Sequence, residues 1–133
     1  MEQNSKITIG QKGTAQTTVT EKNTAIAAGS GSLEVFATPM MVALMESAAC
    51  DALAGALDEG STSVGTEICV SHIAASPLGM GITAEATVTA VNGRMVTFDI
   101  SASDGAGEIG RGTHTRAIVD EARFMARVAE KQG

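Results

Sequence analysis

The run TPMMVALMESAACDALAGALD, residues 38–58, is the only long helical signal in the first half of the chain. Thr38 suits an N-cap and Pro39 the first helical position, where the absent N–H costs nothing. Gly60 stands where a C-cap glycine would, so the helix is expected from Pro39 to about Asp58. It is apolar almost all round, through Met40, Met41, Val42, Ala43, Leu44, Met45, Ala48, Ala49, Cys50, Ala52, Leu53 and Leu57. A helix with no polar face is expected to be wrapped on most sides. Between Pro39 and Cys50 its single charge is Glu46.

Beyond this helix the period changes from helical to two. In TSVGTEICVSHIA (62–74) the even positions carry Val64, Thr66, Ile68, Val70, His72 and Ala74, and that face is expected to be buried. His72 lies on it. Ser76-Pro77-Leu78-Gly79 closes the strand, and residues 82–91 alternate again. Asn92-Gly93 is a strong type I′ hairpin signal, followed by alternation over 94–103. Asp104-Gly105-Ala106-Gly107 makes a second reversal, 108–119 is the last strand, and a short amphipathic helix runs from Glu121 to about Glu130. On the N-terminal side, residues 14–20 (TAQTTVT) are β-prone, and Gly29-Ser30-Gly31-Ser32 reads as a mobile loop. The expected order is strand, buried helix, then four strands in meander. That is a single α+β domain over 1–133, an antiparallel sheet curled around one long central helix. The sheet's far side and edge would remain for a partner subunit.

Composition narrows the function classes. A net charge of −6, with no Trp or Tyr and only three Phe, argues against nucleic-acid binding. Cations are unevenly placed. None occurs between Lys22 and Arg94, whereas Arg94, Arg111, Arg116, Arg123, Arg127 and Lys131 follow. Such a strip either holds an anionic ligand or is ordinary solvated surface. A core of small side chains buries little area per residue, which favours burying more in an oligomer. Cys50 and Cys69 are too few and too far apart for a disulfide scaffold or a zinc site, and no metal is expected. The start, MEQNSKITIGQKG, has no apolar leader core, and no run approaches the ~18 residues of a membrane span. A soluble, cytoplasmic protein is expected.

Three residues could carry chemistry. Glu46 in an apolar helix must be paired, protonated or solvated in a cleft, or simply reach a rim. His72 on a buried strand face reads first as a hydrogen-bonded core residue. With a carboxylate facing the same core, the two could also form an acid/base pair. Thr38 has a capping role, yet a helix N-terminus also offers free N–H groups and a positive dipole end to a carbonyl oxygen gaining charge. Eight residues separate Thr38 from Glu46, about 80° beyond two turns, so they share a side only loosely. His114, in GTHTRA, has no marked carboxylate partner and reads as structural.

The segments VFATPMMVALMESAACDAL (35–53), GTEICVSHIAASPLG (65–79) and SASDGAGEIGRGTHTRAIV (101–119) resemble the fluoroacetyl-CoA thioesterase-like hotdog proteins. The similarity covers nearly the whole chain in order, without a large insertion. It implies a hotdog homodimer with active sites at the subunit interface, and leaves open whether two dimers pair into a dimer of dimers. It also implies hydrolysis of an acyl-CoA thioester, with coenzyme A as part of the substrate and no separate cofactor. The family's catalytic Thr, Glu and His fall on Thr38, Glu46 and His72. A family Gly near the active site falls on Gly65, an Arg near the substrate on Arg116, and Val35 and Phe36 of the V-F-A-T motif are expected to contact substrate. Arg111 is a further candidate cation for the CoA phosphates. The fluoroacetyl-CoA enzyme carries lid phenylalanines ahead of V-F-A-T, where this chain has Gly29, Ser30, Gly31 and Ser32. Selectivity for a fluorinated acyl group therefore does not follow from the resemblance. Two rival readings remain. One is an enoyl-CoA hydratase, whose Asp-to-His motif is missing here. The other is a non-catalytic hotdog protein that binds an acyl-CoA or acyl-carrier ligand.

Overall fold

The computed structural model describes residues 6–133, and the first five residues, on which part of the leader reading rests, lie outside them. The elements are β1 (Lys12–Thr18), α1 (Ala25–Ala28), α2 (Thr38–Leu53), β2 (Ser61–His72), β3 (Gly81–Asn92), β4 (Met95–Asp104), β5 (Gly107–Asp120) and α3 (Glu121–Ala129). A 3₁₀ turn, Glu130–Gln132, follows α3. Among the described residues no helix is long and apolar enough to cross a membrane.

The strands form one antiparallel sheet in the order β1-β3-β4-β5-β2. Only β3, β4 and β5 make a meander. The expected four-strand meander is corrected, because β2 pairs with β5 and leaves β3 to β1. Period-two patterning reports which face a side chain takes and is silent about which strand lies alongside. The connection from β2 to β3 crosses the sheet's end, tied down by Ile73 N–H to the Ile109 carbonyl (2.7 Å) and Phe36 N–H to the Ser76 carbonyl (2.9 Å).

Helix α2 lies across β1 and β3. It buries Met41, Met45, Ala48, Ala49, Ala52 and Leu53, the i, i+4, i+7, i+8 stripe of a one-sided helix. Its other side, with Met40, Ala43, Ser47 and Cys50, is exposed in the single chain, where wrapping on most sides was expected. Closeness of helix to sheet explains Gly13 on β1. A Cβ there would run into the backbone of Ala48 and Ala52. The helix also stops earlier than Asp58, at Leu53, followed by Gly55 with φ +78°; Gly60, at φ +85°, turns the chain into β2 instead of capping α2. Just ahead of the Gly-Ser segment lies a further element, α1, capped by Thr24 and ended by Gly29 at φ +71°.

On β2 the expected even face holds only beyond Thr66. Gly65 pairs with Arg116 and Glu67 with Thr115, so Thr66 is an extra residue, a β-bulge. Before it the odd residues Ser63 and Gly65 share the helix-facing side with Ile118 and Arg116. After it the even residues Ile68, Val70 and His72 do so, opposite His114, Gly112 and Gly110. The bulge thus puts Gly65 and His72 on one face despite their opposite parity.

Candidate active site

The start of α2 and the end of β2 meet at the first cluster. The N-cap is Ala37, in extended conformation and without a side-chain cap, so Thr38 stands at the first helical position. The expected capping role is corrected. The freed hydroxyl lies 2.8 Å from Nδ1 of His72. The cross-strand neighbour of His72 is Gly110, where a Cβ would come within 2.6 Å of Met41 Sδ. The His72 Nε2 atom is buried and has no hydrogen-bond partner among the described residues. Burial holds the imidazole below the ordinary histidine range, and the Ala74 backbone opposes this in part. Val35, Phe36, Ser30 and Ile73 join Thr38 and His72 around a shallow pocket of about 250 Å³. A hydroxyl bonded to a neutral imidazole, at the positive end of a helix, can pass a proton beside a carbonyl oxygen that is gaining charge.

Glu46 lies two turns along α2, and its surroundings form a second cluster. Its Oε2 is 3.5 Å from Arg116 Nη1 and 4.0 Å from His114 Nε2. Gly65 faces it so closely that a Cβ would stand 2.6 Å from the same oxygen. Arg116 is held from behind: Nε donates to Ser63 Oγ at 2.8 Å and Nη2 to the Ser63 carbonyl at 3.1 Å. His114 is buried, stacks on Phe98 with ring centroids 6.1 Å apart, and has Nδ1 2.8 Å from the Glu67 carbonyl. With Nδ1 donating there, Nε2 is free to accept from Arg116 Nη1 at 3.2 Å. Burial, foremost, and Arg116 lower the His114 pKa against the opposing Glu67 bond and Glu46, consistent with that neutral tautomer. His114 is buried as a structural residue would be, but the absence of a carboxylate partner is corrected, since Glu46 faces it. Arg111, by contrast, is exposed and paired with Glu108 at 2.7 Å.

Within one chain the structure joins Thr38 to His72, with Val35 and Phe36, and joins Glu46 to Gly65 and Arg116. It does not join the two groups. Eight helical residues place Glu46 about 12 Å along α2 from Thr38. Among the described residues no hydrogen bond or ion pair links Glu46 to Thr38 or His72. An acid/base pair of Glu46 with His72 inside a single chain is therefore corrected. Ser63 and the facing of His114 were missed in the sequence, because both depend on the bulge. Its one signal is a glycine, Gly65, inside an otherwise regular strand.

Residues 19–122 match the FlK family, described as fluoroacetyl-CoA-specific thioesterase. A relative, the fluoroacetyl-CoA thioesterase of Streptantibioticus cattleyicolor, is 48% identical over 98 residues, 74% of this chain and 70% of that one. A crystal structure of an FlK mutant in complex with acetyl-CoA superposes with a TM-score of 0.87 at 39% identity, covering 95% of this chain and 99% of that one. A hot-dog-like protein from Thermanaerovibrio acidaminovorans gives a TM-score of 0.90 at 28% identity, over 100% of this chain and 98% of that one. The architecture is thus that of the hotdog thioesterases.

Proposed function

The chain belongs to the fluoroacetyl-CoA-specific thioesterase family, and from that premise we propose that it hydrolyses a short-chain acyl-CoA to the free acid and coenzyme A at a site shared between two subunits. The observation that carries the reading is the 2.8 Å contact between the Thr38 hydroxyl and His72, at a helix start where that hydroxyl is not needed as a cap. Thr38, Glu46 and His72 are the catalytic residues in this reading.

The shared site follows from the separation of the two clusters and from what the chain leaves uncovered. β2 is an edge strand, and the exposed side of α2 next to it is lined by small residues and Met40. Both are features that a second copy covers. Antiparallel pairing of two β2 edges about a two-fold axis near Ile68 and Cys69 sets Gly65 of one subunit opposite His72 of the partner subunit. Each site then takes Glu46, Gly65 and Arg116 from one subunit and Thr38 and His72 from the other. The homodimer supplies what the single chain lacks.

In the proposed reaction the thioester carbonyl sits at the positive end of α2, where its developing charge is stabilised. Glu46, oriented by Arg116, either attacks the carbonyl carbon to give an anhydride that water then opens to the free acid, or takes a proton from the attacking water. The C–S bond breaks and the thiolate leaves; His72, with Thr38 as its hydrogen-bonded neighbour, takes up a proton from solvent and passes it to the sulfur. Val35 and Phe36 line the acyl side. The Gly-Ser segment at 29–32, in place of lid phenylalanines, points to an acyl group that needs no aromatic cover. The test follows free thiol over a panel of short acyl-CoAs. Glu46→Gln is expected to lower turnover by more than about tenfold while leaving the thermal melt in place. Full activity in that variant removes Glu46 from the chemistry, and saturable binding with no thiol release by the unmodified protein favours the non-catalytic reading.

A further inference from the structure

Away from both clusters, a groove of about 520 Å³ runs between α3, the end of β5 and the β3–β4 turn. Arg94, Arg123, Arg127 and Lys131 line it together with Phe124 and Val128. In a chain whose net charge is −6, four of the nine Lys and Arg residues converge on this one surface. Among the described residues none of the four has an ion pair or a side-chain hydrogen bond. Asp120 is the single carboxylate in the lining, and one of its oxygens is occupied as N-cap, accepting from the Arg123 backbone N–H at 2.9 Å.

The placement works against the helix. Arg123, Arg127 and Lys131 repeat every four residues, so like charges stack on one side of α3 and its following turn. Like charges at this spacing destabilise a helix, and α3 has no buried residue to offset it. An arrangement that repels itself when empty is relieved by an anion carrying several charges. Guanidinium forks select phosphate oxygens, and the Phe124 ring with Val128 beside them gives a flat base an apolar bed.

We propose that this groove seats the phosphorylated nucleotide end of coenzyme A, its 3′-phosphate and diphosphate against the cations and its adenine against Phe124. The assignment rests on the acyl-CoA reading above. Its reach is consistent with that reading: Arg116, which faces Glu46, and Asp120, at the groove, are four residues apart on β5, about 13 Å. An extended pantetheine arm spans such a distance.

Two measurements on the full chain test it. Adenosine 3′,5′-bisphosphate, which has no thioester, is titrated by calorimetry against the protein, the Arg123→Gln/Arg127→Gln double variant and Arg94→Gln. Saturable binding is expected, weakened at least about tenfold in the double variant and also in Arg94→Gln, which lies off the helix and covers the case where α3 loosens. In the second, kcat/KM is compared for acetyl-CoA and for acetyl-pantetheine, which lacks the nucleotide. The double variant is expected to shrink the preference for the CoA thioester by about tenfold. No binding of the bisphosphate overturns the proposal, as does an equal loss on both thioesters or arginine dependence seen only with an acyl group on an acidic carrier protein. The calorimetry stands even if no thioester is hydrolysed, so failure of the groove and failure of the hydrolase reading are told apart.

Discussion

If each site draws Glu46 from one subunit and Thr38 with His72 from the other, two dead proteins should make a live mixture. Glu46→Gln and His72→Ala are each expected to be nearly inactive alone. In a hybrid dimer, one site combines the altered Glu46→Gln position with the partner's altered His72→Ala position. The other combines intact Glu46 with intact His72. Random re-association of equal amounts makes half the dimers hybrid with one good site of two, so recovery should approach about a quarter of the unmodified activity. The geometry sets this expectation: the two clusters of one chain stand about 12 Å apart along α2, too far for direct proton transfer, whereas hydrogen-bond reach is about 3 Å. Subunits are mixed in mild denaturant, returned to buffer, and assayed for thiol release against each variant treated alone. A mixture that stays at the sum of its parents, with subunit exchange verified by mass labels, refutes the shared site and returns all three residues to one chain.

Other expectations bear on the same framework. Gly65→Ala puts a methyl 2.6 Å from Glu46 Oε2 and 3.2 Å from His114 Cε1, and should lower kcat by more than about tenfold with the fold intact; unchanged steady-state kinetics would remove Gly65 from the site. Gly13→Ala forces β1 away from the backbone of α2 at Ala48 and Ala52 and should cost at least about 2 kcal/mol, a fall in Tm of roughly 8 °C by calorimetry. An unshifted melt would mean the helix yields freely. Burial lowers the pKa of both His72 and His114, so below the ordinary histidine range the unfolded chain binds more protons than the folded one. Stability from this source is fully present above about pH 6.5 and is lost as pH falls through the lowered folded values. Urea midpoints between about pH 7.5 and 5.5 check it, and a midpoint that rises toward acid contradicts it.

Much of this was legible in the residues. Pro39 marked the start of α2 to within a residue, and Asn92-Gly93 marked the hairpin between β3 and β4, because both act through local backbone sterics. Glu46 and His72 stood out because each is polar in an apolar setting, and Thr38 because it stands at a helix start. Neighbour relations were not legible. Nothing local tells β2 to lie beside β5, since that choice is made by the crossover through residues 73–80 and by packing. The role of Thr38 turned on one residue, for the helix begins after Ala37 and a cap becomes a free hydroxyl. An active site at the subunit interface was expected from the family resemblance alone, because a one-dimensional spacing cannot say which copy of a chain supplies a side chain.

The extra residue in β2 works as a phase shifter. Residues 65 and 72 have opposite parity, so an unbroken strand would aim them at opposite sides of the sheet; Thr66 absorbs the half period, and its hydroxyl donates to the Thr115 carbonyl at 3.2 Å. Deleting Thr66 alone would remove bulge and odd residue together, leaving a regular strand with both ends still on the helix side. A single insertion that keeps the bulge would instead turn one end away from the helix.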